Sequence, residues 1–98
     1  MSDRDSVAGT VLEDPCLTVE QLAAACAVEQ AWIMQHVYEG LLPASGGRET
    51  EWRFSSITLK RARRMSELER DFDAVPELAA LFADLLEQLD EMRARLGR

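Results

Sequence analysis

Between Thr18 and Pro43 the apolar positions of TVEQLAAACAVEQAWIMQHVYEGLLP fall into two short helical patterns with a corner between them. Val19, Leu22, Ala23 and Cys26 recur at three- and four-residue steps, which gives a first helix one apolar face. Thr18 stands before them as an N-cap, and Gln21, three residues on, completes a capping box. A corner at Ala27-Val28 leads to a second helix, roughly Glu29 to Glu39, that should bury Val28, Trp32, Ile33 and Val37. Gly40 ends it, because the residue just past a helix often needs a positive φ. Leu41, Leu42 and Pro43 then carry the chain away in extended form. Two helices joined by a tight turn form the helix-turn-helix plan.

The pattern changes period after Pro43. Leu41-Leu42 and Trp52-Arg53-Phe54 flank a Gly46-Gly47 turn, which predicts a small hairpin, the wing of a winged helix-turn-helix. Trp52 and Phe54 share one strand face at period two and are expected to pack on the helices. Ser55 or Ser56 caps a third helix, Ile57 to about Phe72, whose buried stripe is expected to be Ala62, Met65, Leu68 and Phe72.

Pro76 suits the first position of a last helix, with the turn starting near Asp73 or Ala74. There Leu78, Phe82, Leu85, Leu89, Met92 and Leu96 advance in steps of four and three, an a/d seam that Leu81 and Leu86 widen. Such a seam, shorter than about three heptads, does not hold a dimer unaided. It either folds back as core or meets a twofold mate, and its width favours a homodimer through those six residues. The expected organisation is a tail or short edge strand over 1–17, a winged helix-turn-helix over 18–72 and a C-terminal amphipathic helix over 73–98. The fold class is mainly all-α.

Composition narrows the function. The 98 residues suffice for one domain, and 47% hydrophobic with 30% charged is globular rather than disordered. A net charge of −7 repels nucleic acid unless the basic groups gather on one face, and it suits a basic protein surface. Cys16 and Cys26 lack the spacing of a zinc or redox pair, and are expected to be buried or half-buried free thiols. No run approaches the ~18 apolar residues of a membrane span. The N-terminus has no signal-peptide pattern, so a cytoplasmic location is expected.

Catalytic chemistry is missing. His36, the one histidine, has no second histidine or suitably spaced cysteine, so it reads as a surface or packing residue. The carboxylates lie on charged helix faces, and Gly46-Gly47 lacks the Lys-Ser/Thr of a phosphate loop. No enzyme activity, metal or cofactor is expected. For DNA, the second helix would enter the major groove, yet it offers Glu29, Gln30, Gln35, His36 and Glu39. No Lys or Arg occurs from Asp5 through Gly47, although such residues supply phosphate affinity and the commonest base contact. Arg48, Arg53, Lys60, Arg61, Arg63 and Arg64 could hold phosphates and keep a DNA reading open. In the third helix the basic half precedes the acidic half, against the helix dipole's preference, which hints at another use for those charges.

The stretch LTVEQLAAACAVEQAWIMQHVYEGLLP, the WRF that follows and the helix LKRARRMSEL resemble the N-terminal half of MerR-type winged-helix regulators. Tyr38, Glu39, Gly40, Leu41, Leu42 and Pro43 match the exit of their helix pair, without a residue between Glu39 and Gly40, and Arg63-Arg64 match an arginine pair. Those regulators carry a basic recognition helix, a long dimerising coiled coil and often a cysteine-bearing effector domain. This chain departs from them with an acidic second helix and a short last helix. With those departures, Thr18 to Leu96 looks like the chaperone-modulator family CbpM. That resemblance implies binding to the J-domain of a DnaJ-like co-chaperone and inhibition of its work with DnaK. The densest acids, Glu67, Glu69, Asp71, Asp73 and Glu77, are the expected contacts to a basic J-domain helix, with an exposed Phe72 or Val75 as apolar anchor. The alternatives are a MerR-type transcription factor and a small antitoxin-like or phage-type regulator.

Overall fold

Thr18 starts the first helix in the way its spacing to Gln21 predicts. In the computed structural model, which describes residues 15–97, Thr18 Oγ1 accepts from the Gln21 amide at 3.1 Å. Gln21 Oε1 accepts from the Thr18 amide at 2.9 Å, so two donors that the helix leaves unpaired are satisfied together. Helix α1, Val19–Cys26, ends on Ala27 in a left-handed conformation, φ 57°. Helix α2, Gln30–Tyr38, follows with Glu29 at its N-cap. The edge strand considered within 1–17 falls, up to residue 14, outside the described residues.

The exit from α2 decides the fate of the wing. Gly40 takes φ 78°, and the amides of Leu41 and Leu42 both turn back to the His36 carbonyl at 2.9 and 3.3 Å. The Leu41 carbonyl accepts from Arg61 Nε at 2.8 Å, Leu42 is buried, and Pro43 has no N–H to give. With both amides and the Leu41 carbonyl committed elsewhere, the expected pairing of Leu41-Leu42 with Trp52-Phe54 does not form. Ser45 instead exchanges two hydrogen bonds with Arg53, at 2.9 and 2.8 Å, and Leu17 bridges Phe54. These are isolated bridges, and a 3-10 turn at Glu49–Glu51 precedes the expected second strand at Trp52-Phe54. Gly46, at φ 109°, is required there: a Cβ would stand 2.5 Å from the Glu51 carbonyl oxygen. Trp52 and Phe54 still face inward, as their spacing predicts.

Helix α3, Ser56–Phe72, is capped by Ser55, whose Oγ accepts from the Thr58 amide at 3.1 Å. Ala62 and Met65 are buried and Leu68 is packed against the core. Phe72, expected in the buried stripe, is 76% exposed. It is the last residue before a left-handed corner at Asp73, φ 55°, and no neighbouring helix covers it. Helix α4, Pro76–Leu96, has proline in its first turn and Val75 as its N-cap, rather than Asp73 or Ala74. It packs on α3 through Ala79, Ala80 and Ala83, all buried. Leu22, Ile33, Leu42, Phe54 and Met65 are the largest fully buried side chains, each contributing about 1.5–3 kcal/mol of hydrophobic stabilisation.

Candidate partner-binding surface

The helix that would read DNA has its polar residues turned to other work. His36 is buried: Nδ1 donates to the Trp32 carbonyl at 2.7 Å, and Nε2 lies 2.8 Å from Glu69 Oε2. Trp32 Nε1 donates to the other Glu69 oxygen at 2.9 Å, and the Trp32 and His36 rings stack with centroids 3.7 Å apart. Glu69 therefore fastens the end of α3 to α2, and its side chain is only 17% exposed. It stands apart from the other four acids expected at a partner surface. Gln35, the best candidate for reading adenine, donates to Glu39 on its own helix at 3.2 Å.

Three of the four cations in the basic cluster of α3 are paired within the molecule. Arg61 Nη1 contacts Asp84 at 2.6 Å and Glu87 at 3.1 Å, while Arg64 Nη2 and Lys60 Nζ meet Asp90 at 2.9 and 3.3 Å. Burial opposes the Arg61 charge, but hydrogen bonds from Asp84 and Glu87 and their attraction outweigh it and leave its pKa raised. Hydrogen bonds from Arg64 and then Lys60 hold the Asp90 carboxyl below the usual aspartate value. The cleft between α3 and α4, about 680 Å³, is lined by these same charges. Three of the six candidate phosphate contacts thus clamp α4 to the body. Arg48, Arg53 and Arg63 make no ion pair among the described residues; Arg53 and Arg63 donate to the carbonyls of Trp52 and Ala25. The clue in the sequence is the i, i+3, i+6 spacing of Asp84, Glu87 and Asp90, which puts three carboxylates along one side of α4.

The remaining acids divide by position. Glu67 is exposed on the side of Cys26, whose thiol pKa is raised by burial first, lowered by Arg63 and raised again by Glu67. Asp71 is exposed and pairs with Arg70 at 3.2 Å, a contact worth little in solvent. Asp73 and Glu77 are exposed at the corner between α3 and α4. Asp73 borders an apolar groove of about 500 Å³ formed by Leu68, Phe72, Ala74, Val75, Leu78 and Phe82. Val75 is 59% exposed, so both side chains considered as apolar anchors face solvent.

The a/d seam also faces outward. Leu78, Phe82, Leu85, Leu89, Met92 and Leu96 are 44–82% exposed, together with Leu81. The alanine face takes the place that a folded-back leucine stripe would have filled. Cys26 is buried and Cys16, expected at least half-buried, is exposed; both are free thiols. Among the described residues, no group of three or more His, Cys, Asp or Glu is placed to hold a metal ion. No helix among them is long and apolar enough to cross a membrane.

Comparison with known proteins agrees with this arrangement. Residues 17–98 match the model of a family described as MerR HTH family regulatory protein. The chain is 28% identical over 80 residues to a chaperone modulatory protein CbpM of Coxiella burnetii, covering 82% of this chain and 76% of that one. To the protein of the same name from Pseudomonas entomophila it is 32% identical over 93 residues, covering 84% and 88%. No solved structure matches. A helix-turn-helix whose reading helix and basic cluster are both partly engaged internally thus belongs to the MerR helix-turn-helix regulatory family and, within it, to the CbpM chaperone-modulatory proteins.

Proposed function

We propose that this protein is a non-catalytic chaperone modulator that binds the J-domain of a DnaJ-like co-chaperone and inhibits its cooperation with DnaK. The observation that carries the reading is the internal neutralisation of Lys60, Arg61 and Arg64 by Asp84, Glu87 and Asp90. It takes up three of the six phosphate contacts a DNA reader could use, in a chain whose relatives are named chaperone modulatory proteins. The acids outside that clamp, chiefly Asp73 and Glu77 together with Glu67 and Asp71, suit a basic partner helix. Pairing of that kind sets association rate and salt sensitivity.

The test is the DnaK ATPase in the presence of the DnaJ-like co-chaperone from the same genome. Addition of this protein at stoichiometric amounts is expected to suppress the co-chaperone's stimulation and to leave basal DnaK turnover untouched. Unchanged stimulation, together with salt-sensitive retention of the protein on promoter DNA, would reverse the reading in favour of a MerR-type transcription factor. Arg48, Arg53 and Arg63 would then be the phosphate contacts.

The exposed seam of α4 supports a homodimer. A monomer would leave the contiguous apolar stripe from Leu85 to Leu96 in water, and such patches mark interaction surfaces. Replacing Leu85 and Leu89 together by Glu is expected to halve the mass in sedimentation equilibrium while the helical circular dichroism persists. A wild-type protein already monomeric at micromolar concentration would refute the dimer.

A further inference from the structure

The acids of the C-terminal half are not evenly placed once the ion pairs are removed from the count. From Asp71 to Met92 the chain contains no Lys or Arg. Asp84, Glu87 and Asp90 are matched by cations of α3, whereas Asp73 and Glu77 are exposed and take part in none of the ion pairs among the described residues. Of the three acids from Asp73 onward that make no ion pair among the described residues, Asp73, Glu77 and Glu91, two stand at the α3–α4 corner, beside the apolar groove floored by Leu68, Leu78 and Phe82. Phe72 and Val75 flank that groove at 76% and 59% exposure, although each belongs to a segment with helical packing close at hand.

We infer that this groove is the energetic centre of partner binding: it receives the apolar side chains of a basic amphipathic helix, with Phe72 and Val75 as anchors and Asp73 and Glu77 as the charged rim. The inference rests on the J-domain reading above and names the site at which it operates. Three observations favour this occupant over a second copy of the chain. The rim is acidic, and the stretch of a second copy from Asp71 to Met92 carries no Lys or Arg to meet it. Phe72 and Val75 lie off the α4 seam, so seam pairing does not need them. An apolar pocket ringed by charge is the arrangement in which helix-in-groove recognition places its anchors. Leu78 and Phe82 then serve the groove, and the stretch from Leu85 to Leu96 serves the dimer.

The experiment compares full-length wild type with Phe72→Ala/Val75→Ala for binding to the purified J-domain by calorimetry, with melting temperature and mass measured alongside. Both side chains are largely exposed, so the fold should tolerate their loss. The expected result is affinity weakened by about 30-fold or more, the scale of a single hot-spot truncation, with melting and mass unchanged. A second variant, Asp73→Asn/Glu77→Gln, keeps the left-handed corner, which asparagine tolerates. It should slow association and flatten its salt dependence. Wild-type binding matched by the anchor variant would overturn the groove and leave the modulator reading standing. Wild type that binds no J-domain would remove both. A change of mass in the anchor variant would assign the groove to a second copy and overturn the inference.

Discussion

Replacement of Glu69 by Ala is expected to destabilise the fold by about 3 kcal/mol, the scale for stranding a buried charge or donor. Glu69 accepts from Trp32 Nε1 at 2.9 Å and holds His36 Nε2 at 2.8 Å. Its removal would leave the indole N–H and a ring nitrogen of a buried histidine without a partner. In a domain of this size the loss corresponds to a melting temperature lower by roughly 12–20 °C. Glu69→Gln should recover most of it. The amide oxygen can accept from Trp32, and the amide N–H can donate to Nε2 of a neutral imidazole whose Nδ1 donates to the Trp32 carbonyl. Asp71→Ala, two residues on, should stay within about 0.5 kcal/mol of wild type, since the ion pair it makes among the described residues is exposed. Urea unfolding of the four proteins checks the series, and Glu69→Ala melting with Asp71→Ala would refute the network's role.

The contrast between these two acids marks how far the sequence could be read. Caps, corners and helix lengths follow from local chemistry, so Thr18, Gly40, Ser55 and Pro76 give the helix boundaries nearly as observed. The choice of which charge turns inward does not. Glu69 and Asp71 look alike in an acidic run. Only the approach of α2, 33 residues earlier in the chain, puts His36 beside one of them. The wing was misread for a similar reason. Leu41 and Leu42 are good strand residues, but their amides are taken by the end of α2 and the Leu41 carbonyl by Arg61. The disarming of the basic cluster was half legible. The absence of Lys and Arg from the second helix is plain in the sequence. That α4 supplies the counter-charges depends on which face of α4 docks.

That face is the subject of the second large expected effect. Ala83→Leu should cost about 2–3 kcal/mol, as overpacking of a closed contact does. Ala83 is fully buried with Ala79 and Ala80, and these small side chains let α4 lie close enough to α3 for Asp84, Glu87 and Asp90 to reach Arg61, Arg64 and Lys60. Three added carbons would push the helix outward and lengthen the ion pairs at the same stroke. Leu85→Ala, which removes as many carbons from the seam, should leave unfolding unchanged at concentrations where any dimer has dissociated, because Leu85 is about half exposed. A heptad reading of α4 as core predicts the opposite order, with leucine loss severe and alanine enlargement mild. Chemical unfolding of the two variants at high dilution decides between them. If Leu85→Ala proves the more damaging, the docked face of α4 is the leucine stripe, and the charge clamp that disarms α3 could not form as described.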